Sequence, residues 1–202
     1  MMYALTILLF ILLGISLLLS PIKSGNLAVY TRFFRWLIAT GGIVFFSWWF
    51  FKISFPKFSE RSLSVQIINN MPHPLDIYAI KISNDPEARE SVSHVGVIRP
   101  AHYRIEYFKV KNMDEYWLMG FIGKRQLVYF SQNMIFNKNE DQLIEIRNYI
   151  NQSHRLSDMG VKAVSAYVDD TVTDAIWVTL DLLLLFLNIA LLLRKKPLAV
   201  EY

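Results

Sequence analysis

Asp181 is a lone carboxylate in the otherwise uncharged run of residues 175–193, and Asn188 follows seven positions later. Seven residues are close to two helical turns, so both polar groups fall on one helix face. Inside hydrocarbon such a carboxylate costs a few kcal/mol unless it is protonated, hydrated or paired. Three kinds of chemistry fit it. It makes a polar contact within or between subunits, to Ser47 or a backbone group; it pairs with a basic residue of a partner membrane protein; or it handles protons or cations.

The other groups capable of chemistry are four histidines, His73, His94, His102 and His154. None lies in an H-x-x-x-H or H-E-x-x-H spacing, and His94 and His102 have no carboxylate at ligand spacing. An envelope enzyme built on His94 or His102 is therefore a third-ranked reading. No G-x-S-x-G, S-x-x-K, P-loop or G-x-G-x-x-G occurs, which leaves nucleophilic catalysis and nucleotide binding without support. The chain has no cysteine, which excludes disulfides, thiolate metal sites and a lipoprotein anchor. Asn151-Gln152-Ser153 matches a glycosylation sequon within a stretch read as helical. No catalytic residue, metal, cofactor, nucleic acid or small-molecule substrate is implied.

The elements that must position these residues begin with three apolar runs. Residues 3–20, 36–51 and 175–193 each approach the roughly 20 residues that an α-helix needs to cross about 30 Å of hydrocarbon. The first lacks a basic leader and a small-residue cleavage site, so it reads as an anchor rather than a signal peptide. The expected organisation is a transmembrane helix at 1–20, a cytoplasmic loop at 21–35, a second span at 36–51, an extracytoplasmic domain at 52–172, a third span at 173–193 and a cytoplasmic tail at 194–202.

Charge placement supports an orientation. The formal net charge is +4, yet Lys52 to Asp174 holds 15 basic residues against 15 acidic ones. The excess lies beside the spans, in Lys23, Arg32, Arg35, Arg194, Lys195 and Lys196. Short loops rich in Lys and Arg stay cytoplasmic. These six residues are read as topology-determining, and the N-terminus and main domain are placed in the periplasm. Lys52, Lys57 and Arg61 argue mildly the other way.

Within the second span, Gly41 and Gly42 permit close helix approach, with the first span, through Gly14 and Ser16, as the default partner. Phe45, Phe46, Trp48, Trp49, Phe50 and Phe51 crowd the outer end, as an interfacial belt or a docking surface for another membrane protein. Asp181, Asn188, Gly41, Gly42, Trp48 and Trp49 are the candidate intramembrane contacts.

The domain between the spans has strand character. Residues 63–69, 75–82, 92–98, 102–110, 116–122 and 126–136 are apolar, alternating or β-branched, separated by Met71-Pro72-His73-Pro74, the charged 84–91 loop and Gly123-Lys124-Arg125. A helix is expected to start at Asn139, with Leu143, Ile144, Ile146, Tyr149 and Ile150 on its apolar side and Gly160 following it, then a last strand at 161–168, and a capping box at 171–174 that opens the third span. The predicted fold class is an α+β membrane protein, with three transmembrane helices and a β-sandwich carrying one helix.

The stretch VQIINNMPHPLDIYAI followed by VIRPAHYRIEYFKV resembles small immunoglobulin-like accessory domains of bacterial envelope proteins, in which an Asn ends one strand and a Pro-containing turn precedes the next. The likeness spans about 50 residues and implies partner binding more than catalysis. The expected role is a non-catalytic accessory or scaffold subunit of a secretion, motor or respiratory assembly in the bacterial inner membrane, with integral membrane and periplasmic proteins as partners. The competing role is a homo-oligomeric channel or transport component using Asp181 and Asn188.

Overall fold

The computed structural model describes residues 2–22, 26–54, 62–83, 91–109, 113–123, 126–137 and 140–194. The chain is α+β, with three helices and two mixed sheets. It divides into a helical unit, Met1–Pro56 with Asp170–Tyr202, and a second unit, Lys57–Asp169.

In the second unit all six expected strands form: β1 (Ser62–Asn69), β2 (Leu75–Ser83), β3 (Ser91–Ile98), β4 (His102–Lys109), β5 (Met113–Ile122) and β6 (Gln126–Met134). Two further strands, β7 (Gln142–Ile146) and β8 (Ile150–Asn151), replace the helix expected from Asn139 to Ile150, whose first residue lies outside the described ones. Leu143, Ile144 and Ile146 fit both periods. The strand wins because β7 pairs in parallel with β1 across more than 70 residues of chain, so that Ile144 and Ile146 enter the core.

One sheet has the order β4-β1-β7, the other β3-β2-β5-β6-β8. β1 pairs antiparallel with β4 and in parallel with β7; β6 pairs in parallel with β8. Both sheets contribute to one core, in which Leu63, Val65 and Ile67 of β1 meet Leu75, Ile77 and Ala79 of β2 and Tyr116 and Leu118 of β5. The link between sheets is organised by Asn69. Fully buried, it donates from Nδ2 to the carbonyls of His73 and Ile98, both at 2.9 Å, and accepts from the Met71 amide at 2.9 Å.

The back of the five-stranded sheet is covered by a helix. α3 (His154–Leu193) is one element of 40 residues, and it absorbs the expected strand at 161–168, the capping box at 171–174 and the third span. It starts where the Ser153 Oγ accepts from the Leu156 amide at 3.3 Å, so the sequon serine is an N-cap. Leu156, Val161, Val164 and Tyr167 recur at helical spacing and pack on Tyr78, Ile80, Trp117, Met119, Phe121 and Phe130. Gly160, expected to end a helix, lies inside this one. A Cβ built there would meet Met119 Sδ at 2.6 Å, which shows how closely helix and sheet approach. With a core on each side, β2, β5 and β6 read as continuous apolar runs, whereas β1 alternates.

In the helical unit, α1 (Met2–Leu18) and α2 (Asn26–Ser54) join residues 170–193 of α3. Two helices are long and apolar enough to cross a membrane, Leu27–Lys52 and His154–Leu193; Ala4–Leu18 is apolar but shorter. α2 begins at Asn26 rather than Trp36, because no breaker separates Asn26 from Arg35, so Arg32 and Arg35 belong to the helix and not to a loop. A core of Leu13, Ile38, Ala39, Phe46, Trp49, Leu185 and Leu192 joins the three helices.

Candidate functional site

Asp181 and Asn188 are both fully buried, and both face the interior of the helical unit, as their spacing on one helix face requires. Asn188 Nδ2 donates to the Leu13 carbonyl at 3.1 Å and to the Leu184 carbonyl at 2.9 Å, while Oδ1 accepts from the Ser16 hydroxyl at 2.6 Å. Phe10 meets Trp177 edge to face with centroids 5.4 Å apart, so contacts advance together along α1 and α3 and the two helices run in the same direction. Thr6 precedes Leu13 by seven residues, as Asp181 precedes Asn188. Thr6 is buried as well.

Neither carboxylate oxygen of Asp181 has a hydrogen-bond partner. Ser47, one of the contacts considered for it, is exposed on α2. Nor is Arg35 its counter-ion. Arg35 is 7% exposed, and its Nε and Nη2 are themselves unpartnered. α2 returns against α1 and α3, and Gly42 meets Leu185 where an added Cβ would lie 3.1 Å from Cδ1. Arg35 stands seven residues to one side of that contact and Asp181 four residues to the other.

The remaining predicted positions separate. Gly42 is a close-packing residue, against α3 rather than the expected α1, whereas Gly41 is exposed and nothing lies within 4 Å of a Cβ built on it or on Gly14. Trp49 is 8% exposed and stacked on Phe46 with centroids 6.2 Å apart, its Nε1 unpartnered. Trp48 turns outward, with the Lys52 ammonium 5.0 Å from its ring centroid. Arg32 and Arg194 are exposed; Lys23, Lys195 and Lys196 lie outside the described residues.

In the second unit, His94 finds a carboxylate that spacing did not reveal. Its Nε2 lies 2.6 Å from Asp76 Oδ1, and its ring stacks on Tyr78 at 4.7 Å. Tyr78 donates to Asp76 Oδ2 at 3.2 Å. Asp76 and Tyr78 are two apart on β2, hence on one face, and Tyr78 is the cross-strand neighbour of His94. The signal lay in the alternation of β2 and needed the β2–β3 register to read. Burial, and then the Asp76 charge, push the Tyr78 hydroxyl up to about 12. The cluster holds an imidazole and a phenol on one carboxylate and ties β2 to the edge strand. His102 Nδ1 instead lies 2.8 Å from the Pro100 carbonyl, and His154 lies beside Asn151. Among the described residues, no three His, Asp or Glu side chains gather in a way that would hold a metal ion.

Compared with protein-family models, with curated proteins and with solved structures, the chain matches none.

Proposed function

We propose that this chain is a non-catalytic accessory or scaffold subunit of a multi-subunit complex in the bacterial inner membrane. In this reading α1, α2 and the C-terminal part of α3 are its three membrane helices, and the immunoglobulin-like strand domain is periplasmic. One observation carries the reading. Five buried side-chain nitrogen and oxygen atoms lack partners among the described residues, namely Arg35 Nε and Nη2, Trp49 Nε1 and both oxygens of Asp181, and all belong to the helical unit.

An unsatisfied buried polar group costs about 1–3 kcal/mol, and more when charged. Where lipid surrounds the helices, water cannot make up the loss. A helix from another chain removes that cost by inserting against these helices and presenting acceptors to Arg35 and Trp49 and a donor or cation to Asp181, whose oxygens the chain's own helices otherwise enclose. Polar and ionisable groups within membrane helices pair across helices in this way. The outward Trp48, Phe50 and Phe51 add apolar area for the same partner. The channel reading has less behind it, because Asn188 is already committed to Ser16 and Leu13 inside one bundle.

The test is native mass spectrometry of the protein extracted in mild detergent from its own membranes. A stoichiometric set of other chains is the expected result. A homo-oligomer with no other chain overturns the proposal.

A further inference from the structure

β4 is an edge strand whose apolar side faces outward. Tyr103, Ile105 and Tyr107 are 63%, 42% and 59% exposed, and their cross-strand neighbours on β1 are Ile68, Gln66 and Ser64. The alternation would suit a strand with these three residues in the core. The fold does the opposite, because Phe108, of the other parity, is buried beside Tyr116. That inner parity also carries Arg104 and Glu106, neither of which forms an ion pair among the described residues. An edge strand with an exposed aromatic row and no further strand beside it among the described residues is a place where another strand adds.

We propose that the added strand is β4 of a second copy, joined antiparallel about a twofold axis that passes through Ile105. The order of side chains supports this occupant. With Ile105 opposite itself, Tyr103 faces Tyr107 of the other copy and Arg104 faces Glu106, each twice. Every position therefore meets an aromatic, an aliphatic or an opposite charge, which are the favourable cross-strand pairs. The register is also pinned. A slip by two residues places Arg104 opposite Arg104, or Glu106 opposite Glu106, and a slip by one turns the aromatic row to the other face. Charged side chains on an edge strand, inward-pointing ones included, ordinarily discourage pairing because an added strand leaves them without a partner. β4 carries opposite charges placed symmetrically about Ile105, which makes the surface self-complementary, as a twofold interface requires.

The pairing merges two three-stranded sheets into one of six strands, with a continuous Tyr-Ile-Tyr ladder on its outer face. It stands apart from the accessory role above: a dimer that captures no other chain keeps it, and a monomer bound to other chains refutes it.

The test uses the full-length chain in mild detergent. The protein contains no cysteine, so single cysteines report cleanly. Ile105→Cys is expected to form a covalent dimer with a short-span bifunctional thiol reagent at least about tenfold faster than Leu143→Cys, because paired sites raise the effective concentration. Leu143 is exposed on β7, the other edge of the same sheet. Equal rates, or no crosslinking at Ile105→Cys, overturn the proposal. Arg104→Glu and Glu106→Arg are each expected to shift the chain toward monomer in sedimentation, and the double swap is expected to restore the dimer. Single variants that stay dimeric, or a swap that stays dissociated while circular dichroism reports a folded β domain, also overturn it.

Discussion

Asn188 donates through Nδ2 to the main-chain carbonyl of Leu13, 175 residues away, at 3.1 Å. Its Oδ1 accepts from Ser16 on the next turn of α1, so one side chain fastens the first helix to the last. Hydrogen bonds between membrane helices are worth about 0.6–2 kcal/mol each. Asn188→Leu is expected to lower the stability of the helical unit by about 1–2 kcal/mol and to leave Ser16 without its acceptor. Reversible unfolding in mixed micelles, followed by fluorescence of Trp49 and Trp177, measures the loss. An unchanged unfolding curve would show that the Asn188 bonds do not hold α1 to α3.

Asp181 predicts the opposite. Its carboxylate makes no hydrogen bond that a substitution would remove. Replacing such a group with an apolar one of similar size is neutral or stabilising, by up to a few kcal/mol. Asp181→Leu is therefore expected to leave the isolated chain as stable as the wild type or more so and, on the accessory role proposed above, to release the other chains when the protein is isolated from its membrane. Asp181→Asn, which keeps a polar side chain, is expected to retain them. The pair of results separates a residue kept for partners from one kept for folding. A destabilised Asp181→Leu chain in micelles would place the carboxylate in the internal packing instead.

The sequence was most legible where a pattern is local. The six strands from β1 to β6, the connection through Pro72 and Pro74 and the turn at Gly123, where φ is 63°, follow from residues close together in the chain. The shared face of Asp181 and Asn188 was legible for the same reason, since helical spacing alone sets it. The misread elements depend on distant partners. β7 is a strand because β1 lies beside it, and residues 161–168 are helical because the five-stranded sheet offers them a face. Val161, Val164 and Tyr167 carry a helical spacing within a short run that also suits a strand, and nothing nearby decides between them. The unpaired state of Arg35 and Asp181 was not legible, because it follows from which helices meet and at what level. Asp76 escaped notice beside His94 because 18 residues separate them.

Gly160 tests the closeness of α3 to the sheet. In an open helix, glycine to alanine gains about 1 kcal/mol from helix propensity. Here the new methyl would sit 2.6 Å from Met119 Sδ and 3.3 Å from Ile80 Cδ1, so a neighbour must move. Overpacking of this kind costs about 1–3 kcal/mol. Gly160→Ala is expected to destabilise the domain by up to about 2 kcal/mol net. In a Met119→Ala background the closest obstruction is gone, leaving only Ile80 at 3.3 Å, and the same change should stabilise. Trp117 packs in this layer and is the sole tryptophan between residues 57 and 169, so in a chain with Trp36, Trp48, Trp49 and Trp177 replaced by Phe its emission during urea unfolding reads both outcomes. A stabilising effect in the wild-type background would mean that helix and sheet have room to separate.

The tyrosines of the strand domain predict how it fails in alkali. Burial and the Asp76 charge push the Tyr78 hydroxyl up to about 12, and burial raises that of Tyr116, which donates to Gln142 Oε1. An unfolded tyrosine ionises near pH 10. The folded state therefore holds these protons more tightly than the unfolded state does. The stabilisation they contribute is complete below about pH 10 and is lost as the pH rises through the folded values. Stability measured by Trp117 fluorescence in the same single-tryptophan chain is expected to be flat with respect to these groups from neutral pH to about pH 10 and then to fall. Tyr78→Phe removes one of the two phenols and also the bond to Asp76. It should be less stable than the wild type at neutral pH by about 1 kcal/mol, yet fall less steeply in alkali. The two curves converge as the pH rises toward 12, because the wild type loses there what the variant never had. Parallel curves would show that Tyr78 ionises equally easily in both states, and that the Asp76–Tyr78–His94 cluster opens to solvent before the domain unfolds.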